Sequence, residues 1–203
     1  MGFSDLEVVM RSFLDDGKYA DMTISCQEHN FKGHRAIICS QSPFFDAALN
    51  DGFKEAKSSQ VNLPGDNVDT IARVLSFCYL QDYGQVDDSM NLKPDGIPRS
   101  HRGVYLAADK FGIFSLRELA SSRIVNWAKS NWNLGCFPHI VEDIWCTTPP
   151  HENGLRDAIV EVVSTNIQHF LTQNEGNNVF NDNPAFTVAV LKRVASLHPL
   201  QRS

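Results

Sequence analysis

The sequence predicts an α+β fold, in which a small mixed sheet is flanked by helices and followed by an all-helical C-terminal extension. Two patterns carry this prediction. Apolar residues alternate with polar ones at Met22, Ile24 and Cys26, as in a half-buried strand. Beyond position 122 the apolar residues recur at helical spacing. We therefore predict two parts, residues 1–122 and residues 123–203.

Further elements of the first part can be placed in order. Phe31 begins a second short strand after a turn at His29-Asn30, and the apolar residues Val61 and Leu63 indicate a third strand. Ser42-Pro43 predicts the start of a helix, because serine can cap free backbone amides and proline is tolerated at the first helical position.

The rest of the chain combines one long loop with helices. Residues Gln81 to Arg102 are polar and rich in turn-forming residues, which predicts a loop longer than is usual in a compact domain. Such a loop is either a binding element or disordered, and this composition favours disorder. Helices are predicted over 71–79, 104–111, 116–127, 140–145, 155–171 and 186–197.

Charge and hydropathy exclude two classes of partner. The chain has 203 residues and a net charge of -6, and its 18 Lys and Arg residues are scattered. Phosphate binding needs clustered basic residues, so no nucleic-acid surface is expected. The N-terminus lacks the layout of a secretory signal, and no apolar run approaches the ~18 residues of a membrane helix. We expect an intracellular protein, cytoplasmic or nuclear or both, with no membrane partner.

Motifs that carry chemistry are missing from the sequence. There is no nucleophile elbow, phosphate-binding glycine loop, zinc-protease helix or dinucleotide-binding turn. The five cysteines occur singly at irregular spacing, which favours reduced and buried thiols over a disulfide frame or a zinc site. No catalytic residue, metal site or cofactor is expected, and the protein is predicted not to be an enzyme. The cysteines are Cys26, Cys39, Cys78, Cys136 and Cys146.

An amphipathic helix is predicted near the N-terminus. Its apolar residues Leu6, Val9, Met10 and Phe13 lie three or four positions apart along the chain. Such an apolar face needs a partner. Either the helix packs onto its own domain, or it packs against a second copy of the chain.

Several short pieces, in this order and spacing, resemble the BTB/POZ family. The resemblance spans roughly Gly17 to Ser122, and the helical extension resembles that of short, fungal-type members. It implies the BTB/POZ fold and a protein-interaction module, in which the N-terminal helix commonly packs against its counterpart in a second subunit. No kelch or ankyrin period and no zinc finger accompanies it. The matching pieces are Asp21-Met22-Thr23-Ile24, Phe31-Lys32-Gly33-His34-Arg35, Ser42-Pro43-Phe44-Phe45, Gly52-Phe53-Lys54-Glu55, Val61-Asn62-Leu63, Val74-Leu75-Ser76-Phe77-Cys78-Tyr79 and the closing helix Val104 to Phe111.

The resemblance also implies roles for two pairs of residues. Asp21 and Arg35 match an acidic and basic pair that lines the dimer groove in members that are transcription factors. The alternative is an ion pair that ties the first strand to the first helix of the sheet unit, with His34 beside it. Phe53 and Glu55 match the hydrophobic residue and the glutamate that dock on the cullin in ubiquitin-ligase adaptors. The alternative is that Phe53 packs into its own core.

Two functions are therefore expected as alternatives. The first is a substrate adaptor for a cullin-type ubiquitin ligase, in which the C-terminal helices or the long loop hold the substrate. The second is a self-associating scaffold or transcriptional co-regulator, which uses the charge pair and the N-terminal helix to dimerise. In both cases the partner is a protein, either a cullin scaffold or a second copy of the chain.

Overall fold

A computed structural model describes residues 5–50, 57–84, 95–149 and 153–197 of the chain. The chain divides into two compact units. One unit is bounded by Met1–Asp87 and Gly103–Ala120, and the other by Asp88–Arg102 and Ser121–Ser203. The division into domains at positions 122 and 123 stays a prediction from sequence.

In the described residues, the sheet of the first unit has three strands in the order β2-β1-β3. Strand β1 pairs antiparallel with β2 and parallel with β3, so the sheet is mixed as predicted. The side chains of Met22, Ile24 and Cys26 are buried, and those between them are half-buried. The strands are β1 (Met22–Cys26), β2 (His29–Gly33) and β3 (Gln60–Asn62).

The turn between β1 and β2 lies two residues earlier than predicted. His29 already pairs with Cys26, so the turn residues are Gln27 and Glu28 rather than His29 and Asn30. Gln27 has a φ of 53°, a left-handed conformation that is uncommon for a residue other than glycine. This unusual conformation explains why the sequence pattern misplaced the turn.

Four helices of the first unit lie before position 81 in the described residues. Ser42 begins α3 as predicted, because its Oγ accepts a hydrogen bond from the Phe45 N–H at 3.3 Å and Pro43 is the first helical residue. The same hydroxyl donates to the Phe111 carbonyl at 2.6 Å, which anchors the helix start in the core. The helices are α1 (Asp5–Asp16), α2 (Arg35–Ile38), α3 (Pro43–Asn50) and α4 (Val68–Leu80).

The next two helices, α5 (Gly96–Phe111) and α6 (Phe114–Asn131), are longer than predicted. The loop prediction for Gln81 to Arg102 is wrong over positions 96–102, which form the start of α5. The prediction missed this start because Pro98 resembles a turn signal. Proline is tolerated in the first turn of a helix, because the N–H that it lacks would have no partner there. Positions 85–94 lie outside the described residues. The disorder expected for the loop therefore stays a prediction at these positions.

The described residues of the second unit form helices joined by turns and short irregular segments, as the pattern predicted. The apolar stripe from Leu155 to Leu171 is split into two helices, because Asn166 leaves the helical conformation with φ -113° and ψ 26°. The mostly polar helix α10 was not predicted, since it buries only Gly176 and Val179. The helices are α7 (Phe137–Thr147), α8 (Asn153–Thr165), α9 (Ile167–Thr172), α10 (Asn174–Asp182) and α11 (Pro184–Leu197).

Two arginines stabilise the C-terminal end of α7, whose own last turn has no basic residue. Arg156 donates to the carbonyls of Trp145 and Thr148, both at 2.7 Å, and its guanidinium lies 4.3 Å from the centre of the Trp145 ring. Arg102 donates to the Asp143 carbonyl at 3.4 Å. Positive charge at this end complements the helix dipole and occupies carbonyls that lack helical partners.

The cysteines are all free, but they are not all buried. Cys26 and Cys78 lie in the core as predicted, whereas Cys39 and Cys136 are half-buried. The prediction is wrong for Cys146, which is exposed on α7 next to the exposed Thr147. Burial raises the pKa of the Cys78 thiol to about 12, so this side chain is a neutral core residue.

Candidate interaction surfaces

The N-terminal helix α1 presents apolar side chains to solvent. Leu6 is 65% exposed, Val8 56% and Val9 46%, and none of the helix residues is fully buried. Met10 and Phe13, which the sequence placed on the same apolar face, are half-buried. The helix is therefore only partly covered by its own unit.

The C-terminal half of α1 contacts the first unit. The helix packs against α4, and the Phe13 ring lies 5.3 Å from the His34 ring, between centroids. Packing onto the chain's own domain thus holds for the C-terminal half of the helix, and packing against a second copy stays a prediction for its exposed start. Phe13 packs onto its own unit, while Leu6 and Val9 stay available to a partner.

Asp21 and Arg35 lie together, but they do not form the ion pair that one of the two alternatives predicted, and their role in a dimer groove stays a prediction. The Asp21 carboxylate accepts a hydrogen bond from the backbone N–H of Arg35 at 2.8 Å, at the first residue of α2. The Arg35 guanidinium instead donates to the Leu49 carbonyl near the end of α3. Each charge therefore complements a helix end, an acid at an N-terminus and a base at a C-terminus.

His34 joins three segments that are far apart in sequence. Its Nε2 lies 2.7 Å from the Lys18 carbonyl oxygen, and its Nδ1 lies 2.6 Å from the Tyr79 hydroxyl. The His34 backbone N–H donates to the same hydroxyl at 3.0 Å. A carbonyl only accepts, so Nε2 carries a proton, and in the neutral ring Nδ1 accepts from the Tyr79 O–H.

The Tyr79 hydroxyl stays protonated in this network. Burial is the main cause that raises the pKa of Tyr79 to about 12, and the nearby charge of Asp21 acts in the same direction. The hydroxyl donates one hydrogen bond and accepts another, which satisfies its capacity in a buried position. The network thus connects three parts of the chain: the segment that follows α1, the start of α2, and α4.

A family model described as "BTB/POZ domain" matches residues 10–126, which is more than half of the chain. The chain belongs to the BTB/POZ family. The match includes the sheet, helices α2 to α5 and most of α1, so the α+β fold inferred from the strand and helix patterns is that of a BTB domain.

Known relatives of this BTB/POZ chain are distant and longer. Human "Kelch-like protein 15" is 28% identical over 81 residues, which cover 40% of this chain and 13% of that protein. Mouse "TD and POZ domain-containing protein 3" is 25% identical over 105 residues, or 52% of this chain and 26% of that protein. The chain thus matches about a quarter or less of the length of these relatives. A structure of the BTB domain of human gigaxonin is similar at 18% identity, with a TM-score of 0.42 over 60% of this chain and 95% of that one.

The predicted cullin-docking pair of this BTB/POZ protein, Phe53 and Glu55, lies outside the described residues. The described helix α3 ends at Asn50, three positions before Phe53. The role of the pair therefore stays a prediction that rests on the family resemblance.

The second unit also exposes apolar side chains. Val188 is 50% exposed and Leu191 62%, one turn apart on α11, and Leu171 on α9 is 47% exposed. Scattered apolar residues are common on protein surfaces, but pairs at helical spacing are typical of helix faces that contact another protein. The sequence predicted this helix from its apolar spacing, which alone does not show which face is buried.

A metal site and a membrane span were also sought in the described residues. No group of three or more His, Cys, Asp and Glu side chains there could hold a metal ion. No helix in the described ranges is both long and apolar enough to cross a bilayer.

Proposed function

We propose that this BTB/POZ protein is a non-catalytic interaction module that serves as a substrate adaptor for a cullin-type ubiquitin ligase, in the cytoplasm, the nucleus or both. The observation that carries the proposal is the tripeptide Phe53-Lys54-Glu55, placed just after α3 in a chain of this family. It resembles the hydrophobic residue and glutamate with which adaptor members of the family dock on cullins.

The physical roles of the two side chains differ. An aromatic residue at the centre of an interface contributes much of the binding free energy, so Phe53 would be the anchor. A carboxylate at the rim contributes more to orientation and association rate than to affinity, so Glu55 would align the partner. The exposed residues Val188 and Leu191 of the second unit support a separate surface for the substrate.

The test is a calorimetric titration of the full chain with a cullin N-terminal domain. We expect binding in the micromolar range or tighter, and loss of the heat signal in Phe53→Asp. The matched control is Phe114→Asp, which puts the same substitution on a phenylalanine that is 64% exposed elsewhere. The control should bind like the wild type, and circular dichroism should show that both variants are folded.

Two results would contradict the adaptor role. One is no detectable heat with the cullin domain at tens of micromolar. The other is equal affinity of the wild type and Phe53→Asp, which would place the contact elsewhere.

A second function is favoured by the exposed end of α1. Leu6, Val8 and Val9 form an apolar surface that the described residues of the chain leave uncovered. This surface supports a self-associating scaffold or transcriptional co-regulator, in which Asp21 and Arg35 contribute to a groove formed by two copies. A molar mass that rises with concentration in light scattering would favour this function over a monomeric adaptor.

A further inference from the structure

Strand β2 lies at the edge of the sheet. The hydrogen bonds of the neighbouring strand β1 show which main-chain groups of β2 point away from the sheet. The Thr23 N–H donates to the Ser59 carbonyl at 2.9 Å, and the Ser25 carbonyl accepts from the Leu63 N–H at 2.7 Å. The main-chain groups of Thr23 and Ser25 therefore face β3. Because these groups alternate in direction along a strand, the intervening residues of β1 face β2.

The register then shows which groups of β2 point away from the sheet. Ile24 pairs with Phe31, so Phe31 faces β1 and its neighbours Asn30 and Lys32 direct their N–H and C=O groups outward. In the described part of the chain, none of these four groups has a hydrogen-bond partner. Such an edge is a template for an additional strand.

A cleft of about 520 Å³ lies beside this edge. Apolar side chains of α1, β2 and α4 line it, and its polar lining includes Asn30 and Lys32 of the edge and the last turn of α1. The volume lies within the ~300–1,000 Å³ typical of binding pockets. A strand that is added to β2 would place alternate side chains into this space. The apolar lining residues are Leu14, Phe31, Ala72 and Leu75.

The cleft lining carries two acidic residues on α1 and one basic residue, Lys32, on β2, and its acidic side favours a basic partner. Asp15 and Asp16 line it at the C-terminal end of α1, where the helix has no basic residue in its last turn. Both are exposed, and neither has an ion-pair partner among the described residues. The negative end of the helix dipole adds to the two carboxylates, so the α1 side of the cleft attracts cations.

We propose that this edge cleft binds an extended segment of a partner protein in which apolar residues alternate with Lys or Arg. The segment adds a strand to β2 through the main chain of Asn30 and Lys32. Its apolar side chains enter the cleft against Leu75, and its basic side chains lie near Asp15 and Asp16. None of these residues belongs to the cullin-docking tripeptide, so the two proposals succeed or fail separately.

The probe is a capped heptapeptide with the sequence Lys-Val-Arg-Val-Lys-Val-Arg, and binding to the full chain is measured by fluorescence anisotropy. We expect a peptide with Glu at the four basic positions to bind at least about tenfold more weakly, because it meets two carboxylates. Asp15→Asn together with Asp16→Asn should weaken binding of the basic peptide by about tenfold, which is a loss of about 1.4 kcal/mol of binding free energy. Both results test the predicted charge.

Two further reagents test strand addition itself. Lys32→Pro removes one outward N–H and leaves the hydrogen bonds to β1 intact. It should therefore weaken binding of the peptide by about tenfold. The matched control Lys32→Gln removes the charge but keeps the N–H, and should bind within about twofold of the wild type or more tightly. N-methylation of the peptide's central amides should abolish binding to the wild-type chain. This test uses the unchanged protein, so it does not depend on whether Lys32→Pro folds.

Hydrogen exchange locates the contact. On binding, exchange at the Asn30 and Lys32 amides should slow by about tenfold or more, whereas slowing confined to other segments would refute strand addition. The proposal is also overturned if the basic peptide does not bind at millimolar concentration or if N-methylation has no effect. Protection of the two amides without peptide, together with a dimeric mass, would show that a second copy occupies the edge instead.

Discussion

The Tyr79 hydroxyl serves two partners at once, which makes it a sensitive position at the residue scale. It accepts from the His34 N–H and donates to the His34 ring. Tyr79→Phe removes the oxygen and leaves both groups of His34 without this partner in a partly buried site. Leaving buried polar groups unsatisfied costs about 1–3 kcal/mol, so we expect the free energy of unfolding in urea to fall by about that amount.

Tyr19→Phe is the matched control for this prediction. Its ring is 75% exposed, so the same chemical change should alter the free energy of unfolding by less than about 0.5 kcal/mol. If the two variants unfold at the same urea concentration, the network around His34 does not contribute to stability.

The same hydroxyl predicts a loss of stability in alkali. The pKa of Tyr79 rises from 10.0 to about 12 in the folded chain, mainly through burial. Between these pH values the folded state keeps a proton that the unfolded state releases, so the free energy of unfolding falls as pH rises through this window. The stabilisation is fully present below pH 10 and lost at about pH 12.

Urea titrations at half-unit steps of pH measure this effect. The wild type should lose stability more steeply than Tyr79→Phe between pH 10 and about 12. Cys78, whose pKa also rises to about 12, titrates in both proteins, so the difference in slope reports Tyr79 together with its coupling to Cys78. Parallel slopes in the two proteins would contradict the assignment.

Sequence spacing predicted proximity of side chains better than it predicted the bonds between them. Asp21 and Arg35 are adjacent as expected, but the Asp21 carboxylate accepts from the backbone N–H of Arg35, the first residue of the four-residue helix α2, and not from its guanidinium. The His34 contact with Tyr79 spans 45 positions and follows from packing alone. No local pattern encodes such a contact, because it depends on where α4 lies against β2.

At the scale of elements, the junction of α9 and α10 tolerates only glycine at position 176. A Cβ on Gly176 would stand 2.1 Å from the Phe170 carbonyl oxygen, so a side chain must push the two helices apart. Overpacking of this kind costs about 1–3 kcal/mol or more. We expect Gly176→Ala to lower the thermal unfolding midpoint by several degrees, by about 2–4 °C for each kcal/mol in a chain of this size.

Gly154→Ala is the control for the helix junction. Nothing lies within 4 Å of a Cβ at Gly154 in α8, so alanine should be neutral there or stabilise the helix by up to about 1 kcal/mol. Equal midpoints for Gly176→Ala and the wild type would mean that α9 and α10 do not pack this closely in solution.

Elements with a strong local signal were predicted well. Strand β1 and helix α4 have clear periods, and Ser42-Pro43 marks α3 through a cap that the structure contains. Helix α10 was missed because tertiary packing of a few residues, rather than an apolar stripe, determines it. The early start of α5 was missed because Pro98 resembles a turn signal.

At the scale of the whole molecule, composition set limits and the family resemblance supplied the architecture. Scattered charges and irregular cysteines predict the absence of some classes of site, but they do not select a topology. The BTB/POZ resemblance did select a topology, since the order of its matching pieces along the chain agrees with the family match over residues 10–126. The outward edge of β2 could not be predicted, because it depends on the register with β1 and β3.

Self-association is the last property to test at this scale, and it depends on α1. If the exposed end of this helix pairs with its counterpart, a dimer buries Leu6 and Val9 from each copy. Leu6→Asp combined with Val9→Asp would place four carboxylates in that apolar contact, and desolvating charges is costly. We expect the double variant to be monomeric in light scattering at concentrations where the wild type is dimeric.

The matched control places the same charges on another exposed apolar surface. Val188→Asp combined with Leu191→Asp changes residues that are 50% and 62% exposed on α11. This control should keep the dimer, because it leaves α1 intact. A wild-type mass that stays monomeric at high concentration would contradict self-association, and dissociation of the control alone would move the contact to the second unit.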